Sequence, residues 1–411
     1  MLQYRSLNYL LLFIVATSFF TISSCKKDTV VSGGVPSIKQ IRAISPKPND
    51  SVLTAALPGQ YVVIQGSNLA TTSQIWFNGF PASFNAALFS DSNLVVVIPR
   101  IAWDSIPTGK LNTVQVTTAG GTADFKFTVT PPLPTVTMVS NENAVGGSTL
   151  IITGSNFYGV TSVIFPGGKA GTNLIVTGTT QLSVTVPAGI TTGDVLKITG
   201  TFGIGTSNFI YANYLSPTTG YLANFEDGDK YFGWQYWGGI KSNDASVFPN
   251  NTGNYIRINP SSSINAGDGA WYSNNRAVMV NAGEWVPAGN LGDPIANYAL
   301  KFEVNIKTPW SNGSLLIVPN GNFNYMARYA PWTNTATAFV TNGWQTVTIP
   351  LTSFLKGTGN YNPSGASAPT IATLTGGTNS ASLQFMLNND SATPLPAFNG
   401  AVDNVRIVKI Q

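Results

Sequence analysis

The side chains of this sequence that could do chemistry are carboxylates, amides, hydroxyls and aromatic rings. The 411 residues include no histidine and only one cysteine, Cys25. A histidine-based catalytic triad, an imidazole zinc site and a histidine general base are therefore excluded. A phosphate-binding glycine loop is also missing, because Gly203 and Gly205 lack the third glycine and the helix that should follow.

Large aromatic rings set among small and polar residues are the strongest candidates for a binding site. Seven of the nine tryptophans lie between Trp234 and Trp344. Trp237 precedes two glycines, and Trp271 and Tyr272 lie in a stretch rich in Gly, Ser and Asn. Such rings stack on the apolar face of a sugar while amides bond its hydroxyls, and no charge is required. Because neighbouring strand residues face opposite ways, a loop or bulge must present both Trp271 and Tyr272.

A second aromatic group begins at Trp310 and raises the question of which rings bind and which pack. Most aromatic rings of a β-sandwich belong to its core. We therefore expect about half of the rings of this C-terminal domain to pack inside. Trp344 lies in a regular strand, which favours the core or its edge. Three phenylalanines are also expected in the core: Phe225, Phe302 and Phe385. The other members of the second group are Tyr325, Tyr329, Pro331 and Trp332.

Carboxylates offer a competing chemistry, since a glycosidase needs only two of them. Glu226 lies near the start of the C-terminal domain's sequence and Asp403 near its end. The fold of a sandwich could bring the two carboxylates together. Oxygen-only ligands suit calcium, so we expect these two to help hold a structural calcium rather than to catalyse. Glu303 alternates with apolar residues and lies beside Lys301 and Asn305 in the pattern, which predicts a solvated face.

The elements that must position these residues are predicted to be β-strands. Charged residues make up only 9% of the chain, which contains 41 Gly and 25 Pro. This composition is typical of an extracellular all-β protein with many turns. Residues 298–306 alternate apolar and polar with a period of two, and residues 343–350 form another strand pattern. We therefore expect a two-sheet β-sandwich of jelly-roll type over residues 214–411.

The N-terminal half contains an internal repeat at a spacing of 88 residues. Gly-Ser-Asn-Leu at 66–69 recurs as Gly-Ser-Asn-Phe at 154–157. The repeat predicts two copies of one small domain, over residues 36–130 and 131–213. Short strands rich in Val, Ile and Thr indicate immunoglobulin-like sandwiches without a disulfide. The prolines at 131–134 predict a stiff joint between the copies.

The first residues have the pattern of a lipoprotein signal peptide. A charged start is followed by an apolar stretch too short to span a membrane, and small residues then lead to Cys25. We expect cleavage after residue 24, acylation of the Cys25 thiol and a tether over residues 25–35. The acyl chains would anchor the chain to a membrane. Lipidation of Cys25 would also remove the last thiol available for catalysis.

The repeat resembles the IPT/TIG immunoglobulin-like domains. The resemblance lies in Pro-Gly-x-x-Val-x-Ile-x-Gly-x-Asn-Leu at 58–69 and covers about residues 36–130 and 132–213. The C-terminal part resembles the glycan-binding domain of Bacteroidetes surface glycan-binding proteins, which are lipoproteins encoded beside starch-utilisation-type transporters. The segments that carry this second resemblance are 237–239, 270–275, 298–306, 343–350 and 403–407.

This resemblance implies the site, the location and the partners. It implies an aromatic platform for β-linked plant polysaccharides such as xyloglucan, formed by Trp237, Trp271 and Tyr272, with Trp310 as a further member. It implies an outer-membrane lipoprotein facing the exterior, a TonB-dependent transporter complex and surface glycosidases as partners, and no required cofactor. The Lys-Lys-Asp after Cys25 resembles the surface-export signal of such lipoproteins.

Two alternatives stay open at the level of sequence. The protein could be a glycoside hydrolase or lyase with a carboxylate pair, or an adhesin whose aromatic face binds protein. Nucleic acid is not an expected partner, because the basic residues form no cluster beyond the tether.

Overall fold

The computed structural model describes residues 33–226, 240–270, 274–359 and 361–411. Its contacts divide the chain into two compact units, Met1–Pro131 and Pro132–Gln411, and each is described by itself. The predicted all-β class is confirmed, and the sheets are antiparallel except for one short parallel pair, Ala55–Ala56 with Thr128–Val129, in the first unit. No helix in the described part of the chain is long and apolar enough to cross a membrane.

The first unit is a two-sheet sandwich with strand orders β1-β3-β6 and β5-β4-β7-β8, and β2 pairs with β9. Alternate residues of these strands point inward, so that Ile64, Phe77, Val96 and Val116 are fully buried between the sheets. Its strands are β1 (Ser37–Ala43), β2 (Ala55–Ala56), β3 (Tyr61–Ser67), β4 (Gln74–Phe77), β5 (Phe80–Pro81), β6 (Asn93–Val97), β7 (Thr113–Thr118), β8 (Gly121–Lys126) and β9 (Thr128–Val129).

The second unit begins with another immunoglobulin-like sandwich, whose sheets have the orders β10-β11-β15-β14 and β13-β12-β16-β17. The 88-residue repeat is visible in its backbone, because Asn68 and Asn156 both adopt positive φ, at 58° and 61°. Asparagine reaches this left-handed conformation at low cost, which explains the shared Gly-Ser-Asn step. The strands are β10 (Thr135–Val139), β11 (Thr149–Ser155), β12 (Ser162–Phe165), β13 (Lys169–Ala170), β14 (Thr172–Thr177), β15 (Gln181–Thr185), β16 (Lys197–Gly200) and β17 (Gly203–Thr206).

The C-terminal domain is a larger sandwich of two six-stranded sheets. The first sheet has the order β19-β20-β29-β22-β25, with β18 also paired to β29, and the second has the order β21-β28-β23-β24-β26-β27. The strands are β18 (Tyr221–Ala223), β19 (Ile240–Ser242), β20 (Tyr255–Ile258), β21 (Ala277–Glu284), β22 (Tyr298–Ile306), β23 (Ser314–Pro319), β24 (Tyr325–Tyr329), β25 (Gln345–Pro350), β26 (Leu355–Gly357), β27 (Pro363–Ser367), β28 (Ser380–Asn388) and β29 (Gly400–Lys409).

Helices are short in the described residues. One α-helix occurs in the described ranges, α1 (Ile371–Thr375), and it ends at Gly376, which adopts the positive φ of a helix C-terminus. Single turns of 3-10 helix connect other strands, at Ala86–Leu88, Pro166–Gly168, Asn213–Leu215, Ala288–Asn290, Ile295–Asn297, Pro331–Asn334 and Leu351–Ser353.

The core of the C-terminal sandwich fills from alternate residues of both sheets. Phe302 of the first sheet meets Phe385 of the second edge-on, with ring centroids 5.0 Å apart. Phe225 is also fully buried in this core, so the three phenylalanines lie where they were predicted, whereas Trp344 is 7% exposed and packs with Phe248 and Tyr255 in a separate buried cluster. This packing leaves the outer faces of the two sheets as the surfaces on which function can reside.

The part of the outer face of the first sheet that carries Glu303 is covered rather than solvated, which corrects the prediction for Glu303. Lys301, Glu303 and Asn305 do lie opposite the apolar core, but they are 9%, 1% and 0% exposed. The turn between β10 and β11 packs on this face, where the Thr346 amide donates to the carbonyl of Ser140. The second immunoglobulin-like domain therefore takes the place of solvent.

A buried ion network joins the two domains across this contact. Arg406 donates from Nη2 to Glu142 Oε2 at 2.7 Å and from Nη1 to Glu303 Oε2 at 2.9 Å. Lys301 pairs with the other oxygen of Glu142, and Asn143 donates to Glu303. Burial acts to lower the pKa of Arg406, but the two carboxylates outweigh it and raise the pKa above its usual value. All of these charges are paired, as burial requires.

Candidate functional site

Three of the residues predicted to form the platform lie outside the residues that the structure describes. Trp237 lies in segment 227–239, and Trp271 and Tyr272 lie in segment 271–273; both segments are outside the described residues. Their role as a platform therefore stays a prediction. What the structure does describe is how the chain enters and leaves the 271–273 segment, and the surface next to it.

The loop base, residues 268–270 and 274–276, is held by a buried ion pair. Arg276 is 5% exposed, and its Nη2 donates to Asp268 Oδ2 at 3.0 Å. The other oxygen of Asp268 accepts from the Ala270 amide at 2.8 Å. The hydrogen bond from Arg276 is the largest cause that lowers the pKa of Asp268 below its usual value. The carboxylate thus stays charged and fixes the start of the loop to its end.

Asparagine fixes the loop base from the other side. Asn274 and Asn275 adopt positive φ values of 61° and 54°, a conformation that asparagine tolerates better than most residues. Asn274 Oδ1 accepts from the amide of Ser261 at 2.9 Å and from its hydroxyl at 2.7 Å. The residues on both sides of Trp271 and Tyr272 are therefore pinned to the sandwich, which suits rings that must be pre-positioned for a ligand.

An apolar patch covers the outer face of the second sheet beside the loop base. We call it the methionine face, and its buried members are Ala277, Met279, Leu316, Val318, Met326 and Met386. Phe323 and Tyr361 pack on it, with ring centroids 4.9 Å apart. Tyr361 also lies against the loop base, because a Cβ added to Gly269 would come within 3.0 Å of its ring. Tyr361 thus contacts both the methionine face and the base of the loop.

Polar groups at the margin of the methionine face lack partners among the described residues. These are Gln384 Oε1, Asn388 Oδ1 and Arg276 Nε. Such buried groups usually find a hydrogen bond, so the surroundings of these three atoms have unmet hydrogen-bonding capacity. Arg328 bridges Ser314 Oγ at 2.9 Å and Asp390 at 2.5 Å on the same face.

Sequence reasoning missed Tyr361 and Arg276. The signal for Tyr361 was available, since it follows Gly359 and precedes Asn362, the same setting that pointed to Trp237 and Trp271. No sequence signal pointed to Arg276, because the pairing with Asp268 depends on the loop geometry. Tyr361 packs on the methionine face, and Arg276 holds the loop base beside it.

Trp310 is a core residue, so its prediction as a platform member is wrong. It is 0% exposed, and its Nε1 donates to the carbonyl of Asn312 at 2.6 Å. Phe398 and Tyr329 contact it edge-on, with centroids 5.1 and 5.9 Å away. The other members of that group are partly buried against the same core: Tyr325, Tyr329, Pro331 and Trp332.

The described carboxylates do not form a cation cage. Glu226 accepts from the amide and side chain of Asn254. Asp403 accepts from the Thr252 hydroxyl at 2.7 Å and from the Asn404 amide. No group of three or more acidic, His or Cys side chains that could hold a metal occurs among the described residues. The calcium site at Glu226 and Asp403 stays a prediction, and hydrogen bonds account for the carboxylate oxygens of both residues.

Asp403 gives a direct test of that prediction. Burial raises its pKa well above the usual value, with the Glu303 charge adding to the rise and the Thr252 hydrogen bond opposing it. A raised pKa means that the folded state holds the proton more tightly, so this contribution to stability falls as pH rises from about 4. We expect Asp403→Asn to have a higher Tm than the parent at pH 7, and the difference to shrink near pH 4. If Asp403 held calcium, the variant would melt lower and chelator would lower the Tm of the parent.

Several carboxylates of the second unit are paired with cationic side chains among the described residues. Glu142 and Glu303 are buried in the ion network, and Asp268 is held charged by Arg276. A general acid requires a raised pKa and access to the substrate. Asp403 has the raised pKa but is 1% exposed, and Asp268 has a lowered one. Neither Asp403 nor Asp268 therefore combines a raised pKa with exposure to a substrate.

Comparison with known proteins confirms the resemblance drawn from the sequence. Residues 216–409 match the family described as surface glycan-binding protein B xyloglucan binding domain, and residues 40–129 match the IPT/TIG domain. A curated IPT/TIG domain-containing protein of Bacteroides ovatus is 25% identical over 163 residues. The alignment covers 39% of this chain and 33% of that protein, so it spans a third of the relative's length.

Two solved structures share the architecture. The surface glycan-binding protein PbSGBP-B from Prevotella bryantii has a TM-score of 0.68 at 22% identity, over 92% of this chain and 100% of that one. SGBP-B from a complex xyloglucan utilization locus in Bacteroides uniformis has a TM-score of 0.52 at 18% identity, over 91% and 99% of the two chains. At these identities the likeness establishes the fold.

Proposed function

We propose, from the match of its C-terminal domain to the surface glycan-binding protein B xyloglucan binding domain, that this protein is a non-catalytic cell-surface glycan-binding protein. Its ligand is a neutral plant polysaccharide of the β-glucan, xyloglucan or hemicellulose class. The single observation that carries the proposal is this match, which covers residues 216–409 and hence nearly the whole of the larger sandwich. Xyloglucan binding by that domain family indicates the ligand class.

The binding surface in this proposal is the methionine face together with the loop that carries Trp271 and Tyr272. The Asp268–Arg276 pair and the Asn274–Ser261 hydrogen bonds support it, because they hold the loop ends next to Tyr361. Ring faces bind the C–H patches of the sugar, and the unpartnered amide oxygens beside them accept from hydroxyls. Trp237 belongs to the same proposed platform.

The location and partners follow from the leader and from the family. Acylated Cys25 holds the chain on the outer membrane, facing the exterior, and the immunoglobulin-like domains connect the anchor to the binding domain. A TonB-dependent transporter and surface glycosidases then receive the captured glycan. An open platform buries one side of the sugar chain, so single-site affinity is modest and many tethered copies supply avidity.

Affinity electrophoresis tests the proposal. Protein without residues 1–25 keeps every described residue and is run in native gels with and without xyloglucan or mixed-linkage β-glucan. We expect the parent to be retarded, and Trp237→Ala, Trp271→Ala and Tyr272→Ala each to weaken binding by about tenfold, equivalent to ~1.4 kcal/mol. Each substitution removes the whole stacking area of one ring.

A matched control comes from the first unit. Tyr61 is 56% exposed on β3, so Tyr61→Ala removes an exposed ring without touching the C-terminal domain. It should migrate like the parent in the same gels. Parent protein that is retarded by no neutral plant glycan, or that releases new reducing ends from one, would contradict the proposed function. Three ring variants with unchanged retardation would instead move the site elsewhere on the domain.

A further inference from the structure

A groove of about 780 Å³ runs between the second immunoglobulin-like domain and the C-terminal domain, inside the second unit. One wall comes from β10 and residues 208–213, and the other comes from β25 and the end of β29. Its volume lies in the range of pockets that hold small ligands. The lining residues that matter below are Met138, Phe209, Asn213, Thr218, Thr219 and Thr348.

The groove offers almost no net charge to a ligand. Among the described residues, its charged lining side chains are Glu142, Lys301 and Lys409. Glu142 and Lys301 pair with each other, and Glu142 also pairs with Arg406. The floor is therefore internally neutralised, and Lys409 stands exposed near one end. A neutral ligand can therefore enter without separating a buried charge from its partner.

The polar groups of the groove are hydroxyls and amides, and one of them is unsatisfied. Asn213 is 8% exposed, and its Oδ1 accepts no hydrogen bond from the described residues. Leaving this buried acceptor unpaired is costly, so a small movement of the Asn213 side chain that lets Oδ1 accept from a ligand hydroxyl is favourable. Thr218, Thr219 and Thr348 add hydroxyls that donate and accept.

The rim supplies apolar contact. Met138 is 59% exposed, and Ile210 and Ile410 are 39% and 41% exposed. All three line the groove together with the partly buried ring of Phe209. An apolar rim around a hydroxyl-lined floor complements the C–H faces and hydroxyl edges of a sugar chain.

We propose that this groove is a second binding site, for a short stretch of neutral oligosaccharide. It lies over the outer face of the first sheet, whereas the methionine face belongs to the second sheet, so the two sites occupy opposite sides of the sandwich. The choice of a glycan as ligand rests on the proposed function. Two sites on one chain would raise its avidity for a long polysaccharide.

Methionine methyl NMR can report on both sites in one spectrum. The chain has five methionines, Met1, Met138, Met279, Met326 and Met386. In protein without residues 1–25, Met138 reports the groove, and the other three report the methionine face. We expect xylogluco-oligosaccharide or mixed-linkage oligosaccharide, titrated into ¹³C-methyl-labelled protein, to shift the Met138 signal as well as signals of the methionine face.

Two variants show whether a shift of Met138 comes from the groove. Asn213→Ala removes the unpaired acceptor and should raise the ligand concentration needed to move Met138 by about threefold to tenfold. Thr219→Trp places a large ring on an exposed lining position and should block the shift, even if Asn213→Ala folds poorly. Neither variant should change the response of the methionine face.

The outcomes separate this inference from the proposed function. Shifts on the methionine face with a static Met138 would overturn the groove site and leave the function standing. A Met138 shift that survives Thr219→Trp would also overturn it, because the change would then be transmitted from elsewhere. Protein in which no signal moves and no glycan retards migration would overturn the proposed function itself.

Discussion

Replacing Arg406 by alanine is expected to lower the free energy of unfolding of the second unit by about 3–5 kcal/mol. The guanidinium is 1% exposed and donates to both Glu142 and Glu303. Its removal leaves two carboxylates buried without their cation, which is the costly way to break a buried pair. Urea unfolding followed by tryptophan fluorescence measures the change, because all the tryptophans of the second unit lie in the C-terminal domain.

Arg328→Ala provides the matched control for that experiment. Arg328 also pairs with a carboxylate, Asp390, but the two side chains are 27% and 44% exposed. Exposed pairs contribute about 0–1 kcal/mol, so this variant should unfold close to the parent. If Arg406→Ala and Arg328→Ala lowered the free energy of unfolding equally, burial under the second immunoglobulin-like domain would not be what makes the ion network stabilising. Salt should weaken the Arg328 pair more than the buried network.

The fold was predictable because its signals are local and repeated. The period-two pattern of residues 298–306 became the central strand β22, and the 88-residue repeat became two sandwiches with the same asparagine conformation at Asn68 and Asn156. Each signal depends on side-chain alternation or on backbone preference within a few residues. Such features do not require knowledge of what packs on the outside of a sheet.

The environment of Glu303 was not predictable for that same reason. Alternation says which residues face away from the core, and Lys301, Glu303 and Asn305 do face away from it. It does not say whether water or another domain covers them. Here Glu142, more than 150 positions earlier in the chain, supplies the partner for Lys301, and no local pattern records that pairing.

The candidate site shows a similar division. Gly, Asn and Ser around a ring indicate a loop, and the anchored loop base at Asp268 and Arg276 agrees with a positioned loop. Trp310 has a comparable polar setting, with Ser311, Asn312 and Gly313 after it, yet it is buried. Its neighbours turn the chain and accept the indole N–H, so small polar residues here serve a core ring. The residues around a ring do not by themselves distinguish a ring that a loop presents to a ligand from a ring that is buried in the core.

Trp310→Ala should therefore destabilise the protein without impairing the site. Loss of a fully buried tryptophan costs about 3–5 kcal/mol, since its contacts with Phe398 and Tyr329 and the hydrogen bond to Asn312 disappear together. Urea unfolding gives the loss, and affinity electrophoresis well below the unfolding midpoint gives the binding.

Trp332 makes that test specific. It is only partly buried, with its Nε1 donating to the carbonyl of Gly313 at 2.8 Å, so Trp332→Ala should cost less than Trp310→Ala. The core assignment requires that folded Trp310→Ala protein is retarded by xyloglucan as strongly as the parent. A Trp310→Ala variant that unfolds at the same urea concentration as the parent but is not retarded by xyloglucan would contradict the core assignment. Trp310 would then contact the glycan, and other rings would stabilise the core.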